Sequence, residues 1–201
     1  MEVLLMHKNP EITDATRKTF LEAFCRLCKT KSVGKITIKE ITAKAGYNRC
    51  TFYQYFHDVY DLLAYIEDEV IARIAENVTA NVTQRSMTEA FILTFRDIHQ
   101  DEEMYYDVLM KPENNAGFNE KLKRKMEPLL IQKLGLPENE MKTDYIAEIY
   151  LSGIMAAVSR WVRSGRKIPA EELAALIREV LRGLGIRREL NMYDWKREQM
   201  R

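Results

Sequence analysis

Arg49, Thr51, Tyr53, Gln54 and Tyr55 crowd hydrogen-bonding tips into one short stretch, and between them stand Phe52 and Phe56, four residues apart and so on one side of a helix. A guanidinium, an amide and several hydroxyls above two apolar anchors make a helix suited to the major groove of a duplex. Chemistry on a covalent bond has no comparable signal. G-x-S-x-G, H-E-x-x-H, a phosphate loop and a dinucleotide fingerprint are all missing from the sequence, so catalysis is not expected. Cys25 and Cys28 form C-x-x-C, a spacing found in zinc and redox sites, yet no second ligand pair or histidine cluster accompanies them and two residues three apart on a helix also pack as a simple pair. Cys50 falls in the first turn of the short helix, where the helix dipole can lower its pKa or the thiol can serve as a small apolar filler. His99 lies among Asp97, Asp101, Glu102 and Glu103 and reads as a solvated residue. No metal and no cofactor is expected.

The elements that hold these side chains are legible from capping and periodicity. Thr37-Ile38-Lys39-Glu40 has capping-box spacing and predicts a helix starting at Thr37. Ile38, Ile41 and Ala45 form its apolar face, Gly46 ends it in a positive-φ turn, and Asn48 can cap the next helix. Upstream, a helix over residues 13–29 carries Phe20, Ala23, Phe24 and Leu27 in one stripe. After a break at residues 31–35, three helices close a small core. Asp58, with Asp61 three residues on, opens another helix through Leu62, Tyr65, Ile66, Glu69 and Val70 to about Asn81, bridging a reading domain at 1–57 and the remainder at 58–201. From Ser86 onward every segment is helical. Phe91, Phe95 and Ile98 share a face, breaks fall at 111–117 and 135–137, and long helices are predicted over 142–163 and 170–184 as antiparallel neighbours. The fold class is all-α.

Charge is distributed to match. Residues 1–57 hold 10 Lys/Arg against 5 Asp/Glu for a net +5, residues 58–181 hold 15 against 22 for −7, and residues 182–201 hold 6 against 3 for +3. A basic head can neutralise phosphates while an acidic middle stays clear of them. Three cysteines form no paired-thiol framework, and with neither a signal peptide nor a membrane-length apolar run the expected location is the cytoplasm, with no membrane partner.

Thr37, Ile41, the Ala45-Gly46 pair, Thr51-Phe52-Tyr53, Tyr55, Phe56 and Leu62-Leu63, together with Arg17, Phe20, Ala23 and Phe24 upstream, resemble the N-terminal domain of the TetR family of bacterial transcriptional regulators. The motif-level resemblance covers roughly residues 13–65. It implies double-stranded DNA as a partner, with Lys39, Arg49, Cys50 and Gln54 at base edges. Arg49 can give two donors to guanine, Gln54 can pair with adenine, and Cys50 can touch a thymine methyl. Thr37, Thr51, Tyr53 and Tyr55 fit phosphates better, although Tyr53 also suits core packing. Several positions depart from the family pattern: Val59 replaces a common phosphate-binding Lys, Asp58 before it is acidic, Tyr47 replaces a small aliphatic residue, Asn48 a Ser, and Cys50 a Gly or Ala. Tyr47 and Tyr60 can supply hydroxyls in place of the lost ammonium, or simply pack.

Ile146, Ile149, Gly153, Ala156, Ala157 and Arg160 leave a low-profile strip on the first of the last two helices, and the second offers Leu173, Leu176, Ile177, Val180, Leu181 and Leu184. A four-helix bundle across a twofold axis would bury both, as would an intrachain core. The resemblance implies the former, a homodimer on an inverted-repeat operator. It also implies a small apolar or aromatic effector in the middle helices, where Phe91, Phe95, Met104, Tyr105, Tyr106, Met110, Phe118, Met126, Tyr145, Tyr150, Met155 and Trp161 lie. Such residues suit a pocket or an ordinary core. The function expected is that of a repressor released by its effector. The alternative is a helical interaction adaptor that has lost specific DNA binding.

Overall fold

A computed structural model describes residues 10–97 and 100–183. Ile98, His99, Leu184 and the basic tail beyond Gly185 lie outside the described residues. Among those described there are nine α-helices, one 3-10 turn and no strand. The described residues divide into two compact units, one running to Asp68 and taking in Asp101–Val108, the other comprising those from Glu69 to Gln100 and from Leu109 to Gly183.

The first unit contains α1 (Pro10–Cys28), a 3-10 turn (Val33–Lys35), α2 (Ile38–Ala45), α3 (Arg49–Tyr53), the opening of α4 (Val59–Val82) and most of α6 (Gln100–Leu109). Each short helix begins where a side chain can take the orphan backbone donors. Thr37 accepts from the backbone N–H of Glu40 at 3.3 Å, and the Glu40 carboxylate accepts from the backbone N–H of Thr37 at 3.0 Å, so the capping box is closed. Gly46 ends α2 at φ 75°, and its neighbour Tyr47 donates its backbone N–H to the carbonyl of Thr42 at 3.0 Å. Phe20, Phe24, Ile41, Phe52 and Leu62 are fully buried beneath. Cys25 and Cys28 belong to this core. Burial pushes the Cys25 thiol above its ordinary range, reinforced by Cys28 and Asp107, so it is held as a neutral packing group.

The second unit holds the rest of α4 with α5 (Met87–Arg96), α7 (Asn115–Leu134), α8 (Met141–Arg163) and α9 (Ala170–Gly183). Ser86 and Glu89 close a second capping box at the start of α5. α7 opens at Asn115, so Gly117, predicted within a break, is helical; Pro128 lies inside the same helix, and Gly135 ends it at φ 64°. α9 packs chiefly on α5, and its contact with α8 is smaller. Leu173, Ala174 and Ile177 form its buried ridge. Ion pairs from Arg178 to Glu89 and from Arg96 to Glu171, the latter at 2.6 Å, pin the two helices at either end. The α8–α9 turn is tied by the Trp161 indole N–H, which donates to the carbonyl of Ile168 at 2.8 Å.

Two stability effects follow. A Cβ at Gly46 meets nothing within 4 Å, so Gly46→Ala carries the pure cost of a left-handed backbone; denaturant unfolding should show a loss of about 1–2 kcal/mol. The Glu40 carboxyl is held down to about 2 from an ordinary 4.5 by its bonds to the Lys31 ammonium and to Thr37. A depressed acid stabilises above its unfolded pKa, so this contribution is complete above about pH 4.5 and is lost as pH falls toward 2. The difference in thermal midpoint between wild type and Glu40→Gln should narrow across that window.

Candidate nucleic-acid interface

α3 has only five residues, too few to persist unaided, and it is held at its start and from below. The Asn48 carboxamide oxygen accepts from the backbone N–H of Thr51 at 2.8 Å and from the Thr51 hydroxyl at 3.1 Å. Phe52 points inward, edge-on to Phe20 with ring centres 5.4 Å apart, and Phe56 sits 5.7 Å from Phe52. With these rings inside, Arg49, Cys50, Tyr53 and Gln54 are left exposed on the outer side, and Lys39 is exposed on α2. Tyr53 is 57% exposed, so its ring is available to solvent despite an edge contact with Phe52.

Other predicted contacts are engaged within the chain. The Thr37 hydroxyl donates to the Glu40 carboxylate at 2.9 Å, and the hydroxyl of Thr51 is committed to Asn48. Tyr47 stacks obliquely on Phe20 at 5.2 Å and brings its hydroxyl to 3.4 Å from that of Thr16. Tyr55 is half-buried, 6.0 Å from Phe20, with the guanidinium of Arg17 over its ring at 5.9 Å. That cation also covers Tyr65 at 5.3 Å and pairs with Asp14 at 2.7 Å. Arg17 is a brace whose role only the folded contacts reveal.

At the start of α4, Val59 is buried. The Asp58 carboxylate accepts from the backbone N–H groups of Tyr60 at 2.7 Å and Asp61 at 2.8 Å, while Asp61 accepts from that of His57 at 2.8 Å. The anion-binding end of this helix is thus occupied by the chain's own carboxylates. Tyr60 is 62% exposed, its hydroxyl lying over Gly34 so closely that a Cβ there would stand 3.1 Å from it.

In the second unit, Met141, Tyr145 and Ile149 make an exposed stripe at four-residue spacing along α8. Gly153, Ala156 and Arg160 are exposed further along the helix, with Ala157 half-buried. Leu176 and Val180 are exposed on α9, whereas Leu173 and Ile177 are buried within the unit. Phe91, Phe95, Met110 and Met155 surround a gap too small for a water molecule. Tyr150 is buried, shares a 2.9 Å hydrogen bond with Thr88, and has its phenol pushed up by burial. Trp161 is buried, Tyr145 lies on the exposed stripe, and Tyr105 and Tyr106 fall with the first unit. Sequence reasoning passed over a groove of about 360 Å³ between α7 and α8, lined in part by Asn119, Lys123, Ser152, Ser159 and Arg163. Its signal was present as small and polar residues repeating at helical spacing over 152–163.

A capped two-helix reader on a helical core defines a helix-turn-helix transcriptional regulator. Residues 85–183 match a TetR C-terminal family model described as "Transcriptional regulator C-terminal region". No curated protein matches the sequence at a significant level. Among solved structures, the chain is similar to a TetR transcriptional regulator from Streptococcus agalactiae, with a TM-score of 0.61 at 18% identity over 84% of this chain and 97% of that one. The fatty acid degradation regulator FadR from Bacillus halodurans gives 0.61 at 16% identity over 87% and 95%. The dihydroxyacetone kinase operon activator DhaS gives 0.56 at 18% over 84% and 95%. At these identities the structures establish the fold. With the family model covering α5 to α9, the chain belongs to the TetR family of transcriptional regulators.

Arg49 has the reach and the paired donors for guanine O6 and N7. Arg49→Ala should weaken binding to the selected operator by about 1–3 kcal/mol and relax base choice at one position in each half-site. Gel-shift titration against operators altered at single positions measures both effects.

Proposed function

We propose that this regulator binds an inverted-repeat operator as a homodimer and acts as a repressor released by a small-molecule effector. The observation that carries the reading is the outward face of α2 and α3, where Lys39, Arg49, Cys50, Tyr53 and Gln54 stand exposed above the buried Phe52. Tyr47, Asn48, Tyr55, Thr37 and Thr51 flank them as the candidates for phosphate contacts, the Thr37 and Thr51 hydroxyls having to exchange their bonds to Glu40 and Asn48 for a phosphate oxygen. Residues 1–57 are the reading domain and 58–201 the effector and dimerisation domain. The exposed apolar residues Ile149, Leu176 and Val180, with Gly153 between bulkier neighbours, support pairing of α8 and α9 across a twofold. No described helix is long and apolar enough to cross a membrane, and a regulator of DNA works in the cytoplasm.

The switch requires an effector with different affinity for two arrangements of the paired heads. An apolar or aromatic compound is the effector class of this reading, and to enter the second unit it would have to open the packing of Phe91, Phe95 and Met110, where the gap is too small for water.

A second reading has its own support. Val59 is buried and Asp58 is committed to capping, so the start of α4 offers no cation to a phosphate. This favours an interaction adaptor that no longer reads DNA. The operon activator DhaS, similar in fold, keeps activation open beside repression.

Selection of the full-length protein against random duplex DNA separates these readings. A regulator enriches two inverted half-sites, their centres about 34–36 Å or a multiple apart, and its affinity falls steeply with added salt. Failure to enrich any sequence would leave the adaptor.

A further inference from the structure

We infer that the groove between α7 and α8 is a binding site for a small organic carboxylate with a short apolar body. It goes beyond the operator reading above and rests on it only for any regulatory consequence. The groove exists because both helices present small side chains where they face each other: Ala116 on α7, and Ser152, Ala156 and Ser159 on α8. Larger residues at these positions would fill it. Its volume of about 360 Å³ lies within the range of small-molecule sites.

The first sign of a ligand is the Ser159 hydroxyl. Ser159 is 4% exposed, lines the groove, and its Oγ has no hydrogen-bond partner. Serines and threonines in helices commonly return their hydroxyl to the carbonyl one turn back, as Thr94 does to Ala90 at 3.0 Å and Thr42 to Ile38 at 2.9 Å. Ser159 does not, and an unsatisfied buried hydroxyl calls for a partner.

Charge at the same end of the groove selects an anion. Lys123 on α7 pairs with Glu148 on α8 at 2.8 Å, and Ala116 in the first turn of α7 lines the same groove as Ser159 and Arg163, so the two helices run antiparallel with the first turn of α7 toward the Ser159 end of α8. That first turn contains no acidic residue. By contrast, α8 has Asp144 and α9 has Glu171 and Glu172 in their first turns. The first turn of α7 thus brings no carboxylate of its own to the positive end of the helix dipole, the nearest in sequence being Glu113 before the cap. Arg163 folds back so that its Nε donates to the carbonyl of Ser159 at 3.3 Å; its guanidinium has no carboxylate partner among the described residues. It is positioned to give its remaining N–H donors to a carboxylate.

The opposite end is closed to a second anion. Lys123 is held between Glu120 at 2.6 Å and Glu148 at 2.8 Å, and the Ser152 hydroxyl donates to Glu148 at 2.8 Å. Between the ends, Ala116, Met155 and Ala156 offer apolar surface. A ligand with a carboxylate at Arg163 and Ser159 and a few methylenes along Met155 matches the cationic end and the apolar middle of the groove.

Calorimetric titration of the full-length protein without DNA tests this with hexanoate, hexan-1-ol and inorganic phosphate as probes. Hexanoate should bind saturably with one molecule per chain, and the alcohol and phosphate should each bind at least tenfold more weakly. Ser159→Ala should weaken hexanoate about fivefold and Arg163→Gln about tenfold, with thermal midpoints showing both variants folded. Absence of saturable hexanoate binding, equal binding of hexan-1-ol or phosphate, or affinity unmoved in both variants would overturn the site. Because no DNA is present, such a failure leaves the operator reading standing, and failed operator selection leaves the ligand result standing.

Discussion

Phe52 reaches from a helix of five residues to the ring of Phe20 on α1, centres 5.4 Å apart and planes at 82°, and this edge-to-face contact orients everything α3 exposes. A single turn of helix has almost no stability of its own. Its position comes from a buried ring below and the Asn48 cap at its start. Tyr47 and Tyr55 lean on the same Phe20 from either side of α3, so one α1 side chain holds both the turn that enters the helix and the segment that leaves it. Arg17, one turn earlier on α1, braces the far side through Tyr55 and Tyr65. The first helix thus positions the outer face of α3 without being part of it.

Local chemistry explains which features were legible from sequence. The Thr37–Glu40 box, the positive φ of Gly46, the Asn48 cap, the Asp58 start and the Ser86 start are each decided within a few residues, and the folded chain realises all of them. Side-chain direction on α3 was equally readable, because Phe52 and Phe56 fix which side is inside. The partners of α9 were not. Its neighbour in sequence is α8, but Leu173 and Ile177 lie in a unit where Glu89 and Arg96 on α5 meet Arg178 and Glu171, a choice made by charges about eighty residues away in sequence. The start of α7 was misread because Asn115 and Gly117, ordinarily turn formers, are tolerated at a helix entrance.

Aromatic content was a poor guide to open space in the second unit. Phe91, Phe95 and Met110 fill their surroundings, as close-packed interiors require. Space is left where side chains are short, along Ala116, Ser152, Ala156 and Ser159. A void is recorded in a sequence by what is small, and small residues carry little signal unless their spacing shows that they face one another.

Along residues 48–56 the inward rings and the outward tips alternate on a chain too short to bend independently of its core. Arg49, Cys50 and Gln54 stand exposed on the outer side of α3, while Phe52 is fully buried and Asn48, though exposed, gives its carboxamide oxygen to the cap. On the proposed reading, preference for a base sequence and ability to fold are written on different atoms of the same turn of helix. A lineage of chains built on that reading would drift from one operator to another by single exchanges on the outer face, each nearly neutral for stability, whereas changes to the inner face would end both properties together.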